Sequence, residues 1–340
     1  MSQRATQQDW TIAGPEEVAP GVHRIPLPLP MDGLKAVNVY AVIGDERPTL
    51  IDGGWEIEVA QRALDDALGE LGLTTQDVEQ CLVTHHHRDH LTMAMGLRQR
   101  AGLVVGLGEG EAPQLEAIRR TNGLEGSRTL LLAAGATSVL EEVDKVSHER
   151  VDQSLWADPD RWLVDDESVE AAGRSLRVKA TPGHTSGHVV FFDDDADLVF
   201  AGDHVLPHIT PSIGFQAKPA ATPLADYLDS LAAMLTESDR VLLPAHGPAG
   251  GSLHRRVEEL LAHHETRLAQ TEAVVRAGAS TGFDAARALR WTRHERHLDD
   301  LDPFNQMLAT TETLAHLQVL AAQGRVHESA ADGVWRYLAR

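Results

Sequence analysis

Thr84-His85-His86-His87-Arg88-Asp89-His90 follows the apolar run Cys81-Leu82-Val83 and decides how the rest of the chain is read. The run has the length and composition of a short buried strand, so the histidines and the aspartate stand where a sheet ends and a loop begins. Imidazole and carboxylate are ligands of choice for Zn²⁺ and its neighbours. Residues two apart on an extended segment face the same way, so His85 and His87 can grip one ion. A helix is expected from about Leu91 to Arg100. Where the chain turns helical, Asp89 and His90 point elsewhere and can reach a second ion. His86 should face away from its neighbours, packed or solvated.

Three later sites have the form that this motif requires. His184 lies in Thr181-Pro182-Gly183-His184-Thr185-Ser186-Gly187-His188, a glycine-flanked turn after a strand. Asp203 lies in Phe200-Ala201-Gly202-Asp203-His204, and His246 in Leu243-Pro244-Ala245-His246-Gly247. Each is weak alone, because a His or Asp at a strand end is usually a turn residue. Together they place five histidines and two aspartates at four strand ends. His188 and His204, beside these motifs, read as hydrogen-bonding residues.

Working outward, the first half is strand-rich. Val22–Ile25, Val37–Ile43 and Thr49–Ile51 are expected strands, the last halted at Asp52-Gly53-Gly54. Glu58–Leu71 carries a helical stripe through Val59, Ala63, Ala67 and Leu71. Residues 109–158 interrupt the β pattern with helix-like stretches, a candidate lid or a plain surface excursion. Val189–Phe192 and Leu198–Phe200 flank an acidic turn, reading as a hairpin. After Gly250-Gly251 the pattern turns helical, with stripes Val257–Val275 and Phe304–Ala321. A hairpin around Asp332-Gly333 closes the chain. The division is a domain over 1–250 and a winged-helix-like module over 251–340.

The 340 residues carry 30 Lys plus Arg and 51 Asp plus Glu, a net charge of −21. The last ninety residues hold 11 basic and 12 acidic ones, leaving 19 and 39 in the first 250. So acidic a catalytic region offers little of the cationic track that nucleic acid needs beyond a local patch at Arg119, Arg120 and Arg128, which weakens that reading without excluding it. The lone cysteine, Cys81, cannot form an internal disulfide. MSQRATQQDW has no apolar core of a signal peptide. No run approaches the ~20 apolar residues of a membrane span, so no membrane partner is expected. The expected location is cytoplasmic.

The motifs H-x-H-x-D-H, then single His, Asp and His ligands, resemble those of the metallo-β-lactamase-fold superfamily, over roughly residues 20–250. The resemblance implies an α+β fold, a four-layer αββα sandwich. It implies that His85, His87 and His184 bind a first metal, that Asp89, His90 and His246 bind a second, and that Asp203 bridges them. Asp52 matches the early aspartate that orients a ligand histidine. Cys81 precedes the motif and cannot fill the cysteine-ligand place of the best-known β-lactamases. The C-terminal region resembles that of the β-lactamase-like-protein-2 group, some members of which cleave RNA.

The implied cofactors are two divalent ions, with zinc expected and manganese or iron also suited to the ligands. Such a pair supplies hydroxide at neutral pH for attack on a carbonyl or phosphoryl centre. Asp89 is the expected catalytic proton acceptor. The favoured function is hydrolysis of a small ester, thioester or lactone. The alternative is an endoribonuclease or phosphodiesterase using the same site, and a third is a binding protein with little catalysis. His208, in the Pro-rich loop Leu206–Phe215, is a candidate substrate contact. The C-terminal module is expected to pack on the catalytic domain, close its pocket or form a homodimer.

Overall fold

Short apolar runs that stop at glycine, proline or aspartate produce most of the strands, and two sheets result. The computed structural model describes residues 9–30, 34–121, 123–146 and 152–340. Most of the N-terminal decapeptide, and residues 122 and 147–151 of the expected insertion, lie outside the described residues.

The first sheet is formed by β1 (Glu16–Ala19), β2 (Val22–Pro28), β3 (Ala36–Val42), β4 (Thr49–Ile51), β5 (Gln80–Val83), β6 (Val104–Gly108) and β7 (Arg161–Leu163), side by side in that order. The pairs from β1 to β4 are antiparallel; those from β4 to β7 are parallel. Parallel neighbours need crossovers. These are α1 (Glu58–Glu70), α2 (Arg88–Ala101) and a helical segment containing α3 (Ala112–Thr121), α4 (Glu125–Ala133) and α5 (Thr137–Val146).

The second sheet comprises β8 (Ser168–Ala171), β9 (Arg174–Ala180), β10 (Val189–Asp193), β11 (Leu198–Gly202) and β12 (Val241–Pro244), in the order β12-β11-β10-β9-β8. The crossover between the parallel strands β11 and β12 carries α6 (Pro223–Met234). After β12 come α7 (Leu253–Arg276), α8 (Gly282–Ala288), α9 (Pro303–Ala322) and the hairpin β13 (Val326–Ala331) and β14 (Val334–Ala339). Its two-residue turn, Asp332-Gly333, has positive φ at both positions, as a turn matching strand twist requires.

Alternation along the strands sends side chains to three cores. Tyr40, Ile51 and Leu82 meet Val178, Phe191 and Phe200 between the sheets. The other face of the first sheet packs against α1, α2 and α3 through Leu50, Leu64, Leu68, Met95 and Leu115. The outer face of the second sheet, with Phe192, Val199 and Leu242, is covered by α6, α7, α9 and also by α4 and α5. This is the expected four-layer αββα arrangement. The interrupting segment is therefore divided between layers: α3 joins α1 and α2 on the first sheet, whereas Leu131, Val139 and Leu140 join the core that holds Leu314 and Leu317 of α9.

Three local expectations need correction. Helix α2 begins at Arg88, three residues before the apolar stripe, so Asp89 and His90 already lie in its first turn. Helix α1 buries Ala60, Leu64, Ala67 and Leu68, whereas Val59 is 46% exposed; small alanines facing the sheet disguised the true stripe. Helix α6 and strands β1, β7 and β8 had no recognised signal. Among the described residues no helix is long and apolar enough to cross a membrane.

Candidate metal centre

The site lies where β5, β9, β11 and β12 end, where β10 starts and where α2 begins. Val189 N donates to Thr84 O (2.9 Å), and Ala245 N to Gly202 O (3.0 Å), so the loops leaving these strands are held together by backbone bonds. Asn38 N in turn donates to Ala245 O, and the Asn38 amide to the carbonyls of Pro244 and Gly247. Gly202 has φ +51°, and a Cβ there would stand 2.7 Å from His188 Nε2 and 2.8 Å from Thr84 Oγ1. Glycine is what lets β11 deliver Asp203 into so tight a space.

His85, His87 and His184 form one cluster, with His87 Nδ1 3.0 Å from both His85 Nε2 and His184 Nε2. Asp89, His90 and His246 form a second, with Asp89 Oδ2 3.5 Å from His246 Nε2 and 3.9 Å from His90 Nε2. Asp203 lies between them. Its Oδ1 is 3.4 Å from His246 Nε2 and 3.7 Å from His90 Nε2, and its Oδ2 is 3.5 Å from His184 Nε2. The seven residues expected to act as ligands are thus brought together. His208 is not part of this cluster; it is exposed on the loop after β11, beside Pro207, which packs on Gly247.

Each imidazole has one nitrogen committed outward. His184 Nδ1 donates to Ser212 O (2.7 Å), His246 Nδ1 to Ala36 O (2.8 Å) and His87 Nε2 to Phe215 O (3.1 Å). His90 Nδ1 donates to Asp52 Oδ2 (2.9 Å). Thr84 gives its hydroxyl proton to Asp52 and so accepts from His85 Nδ1 (3.0 Å). In the neutral ring the other nitrogen then carries a lone pair. All five inward nitrogens belong to the two clusters. His90 Nε2, His246 Nε2 and Asp203 Oδ1 are buried without a hydrogen-bond partner among the described residues. Buried polar atoms are rarely left so, and a divalent cation is what this donor set fits.

Electrostatics divide the clusters. Burial, reinforced by neighbouring imidazoles, holds His85 and His184 well below the ordinary histidine value, and burial pushes His87 down to about 3. These rings are neutral at pH 7, the form that binds metal. Burial also acts on His90, but the carboxylates of Asp52, Asp89 and Asp203 outweigh it and raise it to about 10. Burial raises Asp203. It opposes ionisation of Asp89 too, yet His90, His246 and His87 bring that carboxyl below its usual value. Positive charge is favoured at the acid-rich cluster even in the metal-free protein.

Comparison with known proteins agrees with this constellation. The family model described as metallo-beta-lactamase superfamily matches residues 32–246. The chain belongs to the metallo-β-lactamase superfamily. Its members typically bind divalent metal ions, and the chain is a hydrolase of that superfamily. A metallo-β-lactamase family protein of Thermus thermophilus is 31% identical, with a TM-score of 0.78 over 95% of this chain and 99% of that one. A β-lactamase domain protein from Burkholderia ambifaria is 26% identical, with a TM-score of 0.79 over 96% and 94%. A probable metallo-hydrolase of Bacillus subtilis, YqjP, is 25% identical over 88% of this chain and 91% of its own length. The lactamase-like protein adaB of Aspergillus niger is 27% identical over 51% and 55%.

Other histidines fall into place. His188 Nε2 accepts from Asp203 N (3.1 Å) while Nδ1 bonds Thr181 Oγ1 (2.8 Å), the hydrogen-bonding role expected of it. His204 departs from expectation: neither ring nitrogen has a partner of good geometry among the described residues, and the ring packs edge-on against Tyr227. Burial pushes it down to about 3. His86 is packed, its Nδ1 2.7 Å from Glu111 Oε2. Sequence reading missed Glu111 altogether. At the rim, the Arg88 guanidinium lies 3.9 Å over the Trp55 ring, and Phe215 links His87 to Phe304 of α9 at ring separations of 5.5 and 5.4 Å.

Proposed function

We propose that this superfamily hydrolase cleaves a small ester, thioester or lactone at a dinuclear site formed by His85, His87, His184, Asp89, His90, His246 and Asp203. The observation that carries the reading is the set of five inward-facing imidazole nitrogens with two carboxylates among them. Bound divalent ions would supply hydroxide at neutral pH and polarise the substrate carbonyl. Zinc suits three neutral imidazoles best, and the acid-rich cluster also suits manganese or iron.

Asp89, held ionised and facing His90 and His246, is placed beside the second cluster to take up the proton released during attack. Asp203 spans the two clusters and fixes their separation. The outward hydrogen bonds hold each imidazole in the tautomer that the reaction needs. Phe215 and Phe304 offer an apolar surface beside His87, and Arg88 on Trp55 a cation at the rim, which fits a small acyl compound. His208 is a substrate contact in this reading. Residues 251–340 are a winged-helix-like module whose Arg256 steadies the loop of His208, donating to Leu206 O (2.6 Å) and Ile209 O (3.0 Å).

The metal-loaded protein should turn over members of a panel of esters, thioesters and lactones, and Asp89→Ala should abolish that turnover. Cleavage of a structured RNA that Asp89→Ala removes, without ester turnover by the parent protein, would replace this reading with the phosphodiesterase one.

A further inference from the structure

The turn that follows β6 is built into the three-histidine cluster. Its sequence is Gly108-Glu109-Gly110-Glu111, and the Glu111 side chain is fully buried. One carboxylate oxygen is 2.7 Å from His86 Nδ1, and the other accepts a hydrogen bond from the Thr185 hydroxyl. His86 sits between His85 and His87, and Thr185 follows His184. Each ligand of this cluster is therefore one residue from a side chain tied to the same carboxylate.

Close backbone approach makes this reach possible. A Cβ on Gly110 would stand 2.7 Å from Gly187 Cα, and one on Gly187 would collide with the backbone nitrogen of Glu111. Three residues on, Gln114 extends the tie. Its amide donates to Gln216 Oε1 (2.9 Å) and Lys218 O (2.8 Å), and Gln216 Oε1 also accepts from Ser186 N (2.9 Å). The loop so held contains the Ser212 and Phe215 carbonyls that orient His184 and His87.

We propose that Glu111 is a positioning residue that assembles the three-histidine metal site by locking the His85–His87 loop to the His184 loop. The acid-rich cluster has its own anchor in Asp52 and does not depend on Glu111. The segment after β6 thus begins as a clamp on the metal site, whatever its later helices cover. The inference rests on the dinuclear reading, but its test reads metal binding and needs no substrate.

The test measures Co²⁺ affinity by ligand-field absorbance in two backgrounds of the full chain. His246→Ala keeps the three-histidine cluster whole, and His184→Ala keeps Asp89, His90 and His246. Adding Glu111→Ala to the first should weaken Co²⁺ binding about 10–100-fold, the usual effect of removing a partner behind a ligand histidine. Adding it to the second should change binding less than about threefold by the same reasoning. Equal loss in both backgrounds, or none in the first, overturns the proposal. Should Glu111→Ala fail to fold, Thr185→Val and Glu111→Gln serve, each removing part of the tie. Selective weakening in the first background supports the clamp, and any other pattern refutes it. Failure of His246→Ala itself to bind Co²⁺ with imidazole-type bands would instead refute the dinuclear reading.

Discussion

Asp52→Asn is the perturbation whose outcome depends most on the hydrogen-bond pattern behind the metal ligands. Asp52 Oδ1 accepts from Thr84 N (2.8 Å) and Oδ2 from His90 Nδ1 (2.9 Å), and φ at Asp52 is +62°. Asparagine tolerates that backbone conformation, and its oxygen still accepts from Thr84. Its amide NH₂ then faces His90 Nδ1. Two donors cannot bond, so His90 turns over its tautomer and places a proton on Nε2, the nitrogen directed at the second metal position. Affinity for the second ion should fall about 10–100-fold, or about 1.4–2.8 kcal/mol.

Asp52→Ala removes the acceptor from Thr84 N, the Thr84 hydroxyl and His90 Nδ1, and puts Ala where a left-handed backbone costs ~1–2 kcal/mol. An unpaired buried donor costs about 1–3 kcal/mol, so the Ala variant should be less stable than the Asn variant by about 2–5 kcal/mol. The expected pattern is crossed: Asn rescues much of the stability and none of the metal affinity. Urea unfolding of metal-free protein gives the first quantity and competitive chelator titration with Zn²⁺ the second. If Asp52→Asn binds both ions as the parent does, His90 is not oriented by Asp52 and the tautomer argument fails.

The remaining predictions concern other parts of the fold. His264 and His316 meet between α7 and α9 (Nδ1 to Nε2, 3.3 Å), and burial pushes them down to about 3 and about 4. Their folded pKa values lie below the unfolded value, so the stability they confer is present above pH ~6.5 and lost as pH falls toward 4. Between pH 7 and 5 each should cost about 2 kcal/mol; replacing both by Leu should flatten the urea-midpoint change in metal-free protein by that amount per ring. An unaltered pH slope would mean that these rings are already charged or solvated. Metal removal by a chelator should lower thermal stability, since an ion at 100 times its Kd contributes about 2.7 kcal/mol; identical melting with and without Zn²⁺ would contradict a resident metal. Phe304→Ala should raise KM for longer acyl chains about 5–150-fold and leave kcat within about twofold, because a lost apolar contact is worth ~1–3 kcal/mol of binding; equal loss on short and long chains would remove Phe304 from the substrate surface.

The ligands were legible in the sequence because their chemistry restricts residue type and their geometry restricts spacing. Only His, Asp, Glu and Cys bind such ions well, and strand ends must be followed by residues that turn at once, hence Pro182-Gly183-His184 and Gly202-Asp203. The layers were legible as well, through strands such as Val37–Val42 that are buried on both faces. What covers a face was not. The stripe on α9 announces burial, but Leu314 and Leu317 meet Leu131 and Leu140, residues nearly two hundred positions earlier, and no periodicity records that partnership.

The same limit explains why the outer shell of the metal site stayed hidden while the ligands did not. Three of the five imidazoles are oriented by backbone carbonyls, those of Ala36, Ser212 and Phe215, and every residue type supplies a carbonyl. Side chains orient only His85 and His90, through Thr84 and Asp52, and both stand in motifs recognisable from the sequence or next to one. Glu111 leaves no trace because it touches no metal: its value comes from the two loops that glycines bring against it. Ligand identity is a property of residues and can be read locally. Ligand orientation is a property of contacts between loops far apart in the chain, and it becomes visible only when the strand ends have been brought together.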